Sequence, residues 1–379
     1  MTGAASGSPE VIVVGGGVIG CAVAWFLARE GVAVTLLERG EIAGQASGAA
    51  AGMLTPLAEA DPESAAGRSF LRWGRRSLAL FPELVAELRE SSGVDPEYRA
   101  SGLLRVARDE TEVRALRRRA AALPEAELTW LTGDEVRTWE PQLAPGLAGA
   151  LHSPRDGHVR SPLLVRAYAR AASRRGARIE TGVPVVGLAR ERARVVGVET
   201  PEGRRTAGQV VLCTGSWTPG LDLGVTLPVA PVRGQIVSLD APEPPFGAIL
   251  WGGPTYLVPK LDGSVVVGAT EERAGFERRV TAGGVRGLLD AATRLVPALA
   301  EASFRGAWAG LRPETPDHLP LVGPVPHVDG LVVATGHFRA GVLLSPMTGE
   351  IVRDGVLGKG WAEPAFLPER WLRPAPSAG

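Results

Sequence analysis

Two hydrophobic periods alternate along this chain, and the first switch between them comes close to its start. Val11-Ile-Val-Val14 is an unbroken apolar run, as a parallel strand buried on both faces requires. Val18 to Ala28 then read as a helix, with Gly31 as its C-cap, and Val32 to Leu37 as a second buried strand. Apolar positions recur at helical spacing from Ser64 to Ser91, and Glu110 to Leu123 predict an Arg-rich helix with a solvated face. A short helix opens at Thr132 or Gly133 and runs through Trp139, stopped before Pro141. Ser161-Pro162 predicts another helix start, with the serine as cap and the proline in the first turn, ending at Gly176. Arg178 to Leu188, Arg194 to Glu199 and Gln209 to Cys213 read as strands.

From Leu227 to Leu311 the texture changes. Strand-like pieces, Val232 to Leu239, Thr255 to Pro259 and Ser264 to Thr270, alternate with turns, and Asp262-Gly263 marks a hairpin. Residues 283–296 predict a helix on the outside of that sheet. Leu331 to Thr335 form a last strand, followed by a helix from about Val342 to Leu357 and a Pro-rich tail after Pro364. The pattern is α/β: a Rossmann-like domain with an inserted antiparallel-sheet, α+β domain. No internal repeat is visible.

The turn after the first strand carries the chemistry. Gly15, Gly17 and Gly20 fit the G-x-G-x-x-G dinucleotide pattern, and Glu38 follows at the distance of an acid that holds a ribose hydroxyl. Gly15 permits the turn, Gly17 lets the backbone approach a pyrophosphate, and Gly20 lets helix and sheet pack closely. The helix offers its free N–H groups and positive end to phosphate. The competing reading is a βαβ unit whose glycines serve packing alone. Residues 41–56 are a run of small residues, suited to lie beside a large flat ligand or to act as a linker.

Composition narrows the function by exclusion. The 41 basic residues balance 41 acidic ones, so nothing favours nucleic acid or a membrane surface. Only Lys260 and Lys359 are lysines, which reads as a lineage bias. Cys21 and Cys213 lie in apolar contexts, which argues against a disulfide framework and fits a reducing cytosol. No CxxC or HExxH pattern occurs and the histidines are scattered, so no metal site is expected. The apolar stretch from Val11 to Ala28 is neither signal nor membrane span: residues 1–10 carry no Lys or Arg, and three glycines interrupt it.

Five segments together resemble the D-amino acid oxidase family of FAD-dependent amine oxidoreductases, and within it the bacterial glycine oxidases of thiamine biosynthesis. They are Val11 to Gly20, Ala46 to Leu54, Val211 to Trp217, Gly310 to Asp317 and Gly336 to Leu343. The resemblance spans about Val11 to Arg370. It implies an FAD-binding domain from segments 1–85, 151–220 and 311–365, a substrate domain from 86–150 and 221–310, and a tail at 366–379. It implies that Val18 and Ile19 lie beside the pyrophosphate and that Glu38 and Arg39 hold the adenosine ribose. Ala46, Ser47, Ala51, Gly52 and Met53 would line the flavin, and Val183 would reach the adenine through its backbone. Thr214 and Gly215 belong to the same cofactor site. His337, Phe338, Arg339, Ala340, Gly341, Val342 and Leu343 would wrap the isoalloxazine. A helix starting near Gly341 would aim its positive end at the pyrimidine edge, where reduction places negative charge.

Oxidation of an amino acid to its imine needs few protein groups, because the flavin takes the hydride. Arginine is the natural clamp for the carboxylate. The resemblance gives that role to Arg312; the alternative is an ion pair with Glu314 or Asp317. Tyr256 matches a phenol that bonds the substrate, or packs at a strand edge. Arg339 orients substrate or holds a neighbouring loop. Glu271 comes near the pocket, and His337 tunes the flavin or packs. Sarcosine oxidases tether flavin through a cysteine where this chain has Gly310, so noncovalent FAD is expected. The reading is a cytoplasmic oxidase of glycine, and of sarcosine or small D-amino acids. Oxygen is its acceptor, its imine feeds thiazole synthesis, and relatives imply a homotetramer. Rival readings are an amine dehydrogenase with a quinone or protein acceptor, a flavoprotein subunit of a larger complex, and an NAD-only Rossmann protein.

Overall fold

In a computed structural model, residues 10–371 are described apart from 124, 126, 242–245 and 362, so positions 372–379 of the expected tail lie outside the described residues. The first apolar run forms the strand Val11–Val14, buried along its whole length. It is the middle of a six-stranded sheet, flanked by Val34–Glu38 on one side and Gln209–Leu212 on the other, both parallel to it. Arg178–Thr181 and Leu331–Thr335 extend the sheet in parallel, and Leu321–Pro324 closes one edge antiparallel. Central strands so placed have no wet face, which is why their sequences do not alternate.

The helix Val18–Arg29 is buried through Ala28 and packs against the helices Ser161–Arg174 and Gly341–Val356. The long helix Ala65–Ser92 is capped by Ser64, whose side chain accepts from the Gly67 N–H. Trp25, Tyr168 and Phe81 are fully buried in this layer. Large buried apolar side chains each contribute roughly 1.5–3 kcal/mol.

A second sheet of eight strands runs in the order Ser303–Glu314, Ala230–Asp240, Ser264–Gly268, Thr255–Pro259, Ile249–Gly252, Leu103–Ala107, Gly149–Ser153, Thr129–Thr132. It is mixed rather than wholly antiparallel, because Leu103–Ala107 lies parallel to Ile249–Gly252. The helix Ala282–Leu295 packs on one face through Leu288, Ala292 and Leu295. The other face presents Ile236, Trp251, Tyr256 and Val258, which pack with Ala51 and Met53 of the small-residue loop. That contact brings the two sheets to one site. Among the described residues no helix is long and apolar enough to cross a membrane.

Three local expectations change. The strand expected over 178–188 divides into Arg178–Thr181 and Gly187–Glu191, because Pro184 has no N–H for a ladder and Val183 turns its N–H to the Glu38 carbonyl, 2.9 Å away. Ser161 is the first helical residue and not the cap; Arg160 takes that place. The Ser161 hydroxyl instead donates to the Ser47 carbonyl at 2.6 Å, tying this helix to the small-residue loop. The loop itself holds a short helix, Ala46–Ala49, and a strand, Met53–Leu54, paired with Gly157–His158.

Candidate cofactor and substrate site

A long cleft runs from the end of the first strand to the inner face of the second sheet. At one end it is lined by Gly15, Gly17, Glu38, Arg39 and Val183; at the other by Tyr256, Arg312 and Arg339. Val18, Ile19, Ala46, Ser47, Ala51, Gly52, Met53, Thr214 and Gly215 line the stretch between, and so does the whole of His337 to Leu343. Gly20 does not line the cleft. A Cβ there would run into the Gly15 carbonyl oxygen, so Gly20 supports the turn by close packing.

Two helix N-termini open on this cleft. Val18–Arg29 begins at Gly17 and Gly341–Val356 begins at Ala340, and neither cap residue supplies a side-chain bond. Both therefore direct positive dipole ends at the same space. Ser47 Oγ accepts the Val18 N–H at 2.9 Å, which fixes the small-residue loop against the first of them. Glu38 is nearly buried, and its carboxylate takes the Gly16 N–H at 2.6 Å and the Gly40 N–H at 2.8 Å. It thus braces the glycine turn, with lone pairs left for a hydroxyl. Arg39 lies over the Trp217 ring at 4.1 Å, and Trp217 lines the cleft beside it. Gln45 contributes a buried amide oxygen with no partner among the described residues.

These features fit FAD. The cleft has a phosphate-sized turn, a carboxylate beside it, a flat wall of small residues and a second helix end. Gly52 shows how tightly the wall is built: its φ is +79°, and a Cβ would meet the Val159 carbonyl oxygen. Gly310 faces the same wall, where a Cβ would come within 2.7 Å of the Ala49 methyl.

The far end gathers side chains from separate parts of the chain. Arg312 lies on the edge strand Ser303–Glu314, opposite Val232, with its guanidinium against Gly234. It donates to the Thr270 carbonyl at 3.0 Å. The two carboxylates that offered an alternative role are engaged elsewhere. Glu314 pairs with Arg273 at 2.5 Å and with His318, and Asp317 pairs with Arg370 at 2.8 Å. Tyr256 is buried on Thr255–Pro259, in the same sheet with two strands between, and burial pushes its phenol pKa up while Arg312 and Arg339 pull it down. The net rise keeps the phenol a donor at neutral pH.

Arg339 is committed to ion pairs, with Glu59 at 2.9 Å and Glu271 at 3.5 Å, and stands over the Trp251 ring. Its position supports the loop-holding reading while still reaching the cleft. Glu271 is half-exposed and meets the site through Arg339. His337 is buried, its Nε2 bonded to Thr348 Oγ1 at 2.9 Å, and burial lowers its pKa to about 3. The imidazole is neutral and packed.

Sequence reasoning missed Glu59, Trp217 and Trp251. Glu59 lines the cleft with its side chain only 13% exposed, and nothing in its local pattern marks it. Trp251 stacks edge-on with Tyr256 at 5.7 Å, a pairing set by strand register rather than spacing. Among the described residues no cluster of His, Cys, Asp or Glu could hold a metal ion.

Comparison with known proteins adds to this geometry. The family model described as DAO, FAD dependent oxidoreductase, matches residues 10–354. A glycine oxidase of Geobacillus kaustophilus is 38% identical over 354 residues, covering 91% of this chain and 92% of that protein. The crystal structure of glycine oxidase from the same species superposes with a TM-score of 0.91 at 37% identity, covering 96% of this chain and 99% of that one. A bifunctional protein ThiO/ThiG of Trichormus variabilis is 35% identical, covering 92% of this chain and 52% of the longer protein.

Proposed function

The chain belongs to the DAO family of FAD dependent oxidoreductases, and from that premise we propose that it is a glycine oxidase converting glycine, oxygen and water to glyoxylate, ammonia and hydrogen peroxide. FAD, when bound, supplies the two-electron acceptor. Arg312 clamps the substrate carboxylate, and Tyr256, three strands along the same sheet, donates a hydrogen bond to it. Holding the carboxylate at two points orients the α-C–H and the neutral amine, and such positioning is what the protein must contribute. Arg339, tied to Glu59, closes the wall of the pocket and shields it from water. No side-chain base is required, and His337 is packed too firmly against Thr348 to act as one.

The observation that carries this reading is a single cleft with two helix N-termini along its length and Arg312 and Tyr256 at its far end. The proposal extends to sarcosine and small D-amino acids as further substrates, to noncovalent flavin and to supply of the imine for thiazole synthesis. It also includes a cytoplasmic location, for which the free, buried Cys21 and Cys213 fit a reducing compartment, and a homotetramer. The test is steady-state peroxide production across glycine, sarcosine and D-alanine. Peroxide formed in step with substrate supports the oxidase. Rapid dye reduction by the same amines without peroxide would replace it with a dehydrogenase.

A further inference from the structure

We propose that Lys260 is a positioning residue that locks the flavin-facing loop to the strand carrying Tyr256, an inference that rests on the cofactor and substrate ends assigned above. Side chains two apart on a strand share a face. Tyr256 and Val258 therefore point the same way from Thr255–Pro259, and both pack with Ala51 and Met53. Lys260 follows two residues later and buries its side chain in the same direction. Its Nζ donates to the Ala51 carbonyl at 2.6 Å and to the Val159 carbonyl at 3.0 Å.

These two carbonyls flank the tightest point of the cofactor wall. The Val159 N–H donates to the Gly52 carbonyl at 2.9 Å, and the Gly52 α-carbon lies too close to the Val159 oxygen for any side chain. One amine thus joins three segments: the flavin-facing loop, the approach to the helix Ser161–Arg174, and the hairpin that bears Tyr256. Charged or neutral, the nitrogen carries at least two hydrogens, one for each acceptor. Without it, two buried carbonyls lose their partner, which is costly enough to shift the loop.

A second tie lies beside the first. Asp262, in the same hairpin turn, pairs with Arg160 at 2.9 Å and Arg305 at 2.7 Å, and Arg160 pairs with Glu97 at 2.7 Å. Arg160 raises the local positive potential around Lys260, while Glu97 and Asp262 lower it; burial is the larger influence and brings the amine pKa down to about 7. A chain with 41 basic residues and only two lysines places one of them here, buried.

The test compares the parent with Lys260→Met and Lys260→Arg as FAD-loaded proteins. Three quantities are read: the rate of FAD release, the shape of the visible flavin band, and single-turnover flavin reduction by glycine. For Lys260→Met we expect FAD release to quicken roughly tenfold and the band to shift. Reduction at saturating glycine should slow by a similar factor, while the glycine concentration for half-saturation changes little, because Arg312 is untouched. Lys260→Arg, which keeps a cation and its donors, should recover most of each loss. If Lys260→Met does not accumulate folded, Lys260→Gln takes its place. A variant that melts earlier yet keeps the parent's FAD release, band and reduction rate would overturn the proposal and leave Lys260 a purely structural tie. Should glycine fail to reduce the parent, the glycine reading falls, and FAD release and band shape still judge Lys260.

Discussion

The two ends of the cleft are built on opposite principles. The nucleotide end is made of backbone: a glycine turn, a helix N-terminus and one carboxylate whose oxygens are partly spent on bracing that turn. The substrate end is made of charged and aromatic side chains drawn from strands and loops far apart in sequence, with Arg339 and Glu59 in mutual contact. Under the proposed function, the first end would recognise a shape and a diffuse negative charge that every dinucleotide shares. The second would select small amino acids, and such selection needs individual directed groups. Damage at the two ends should therefore differ in kind: loss of cofactor at one, loss of turnover with cofactor retained at the other.

The largest expected effect sharpens that contrast. Arg312→Ala should cost roughly 2–5 kcal/mol of substrate stabilisation, as for truncating one partner of a buried charge pair. That corresponds to a fall of roughly 30- to 4,000-fold in kcat/KM for glycine, measured with flavin content unchanged. A near-normal kcat/KM would remove Arg312 from the site. Gly52→Ala should act at the cofactor wall. A residue forced into a left-handed conformation costs roughly 1–3 kcal/mol before any clash, so FAD affinity should fall by roughly 5- to 150-fold, with the loss seen in flavin retained on dialysis. Smaller again is Glu59→Gln, which keeps a hydrogen bond to Arg339 but removes the charge. A cost of about 1 kcal/mol, discounted for the partial exposure of Arg339, predicts about a fivefold rise in KM with FAD binding intact. A loss of flavin from that variant would blur the division between the ends.

The smallest effect is a slope. His337 has a folded pKa of about 3 because it is buried, while an unfolded histidine titrates near 6.5. Below that value the unfolded chain binds a proton that the folded chain refuses, so the contribution of His337 to stability is level above about pH 6.5 and falls as pH drops toward 3. His158, lowered to about 3 chiefly by burial, acts with the same sign. Denaturant titrations between pH 7 and 5 should show that decline, and His337→Asn should flatten it in part. An unchanged slope would mean that His337 is not held neutral in the folded protein.

The same contrast explains what could be read before the fold was known. Most of the nucleotide end lies within residues 11–39, so its strand, glycines, helix and acid are all local signals, while Val183 and Trp217 join it from elsewhere. The substrate end is not local. Tyr256, Arg312 and Arg339 emerge from residue-by-residue resemblance to a family and from no periodicity of their own, and Glu59 and Trp251 escape notice because only strand pairing and packing bring them in. Ser161 shows the limit of a local rule. Its sequence has the form of a helix cap, but the neighbouring Ser47 carbonyl offers its hydroxyl a tertiary partner, and the cap passes to Arg160. The parallel pair between Leu103–Ala107 and Ile249–Gly252 is hidden for a like reason, since the sequence around each strand reveals nothing about the other.

The most direct test of the central claim is the visible spectrum of the purified protein under anaerobic conditions, before and after glycine, followed by admission of air with peroxide detection. Bleaching of an oxidised flavin by glycine, with colour and peroxide both returning in air, is the predicted result. A flavin spectrum that glycine leaves unmoved, in protein saturated with FAD, would contradict it.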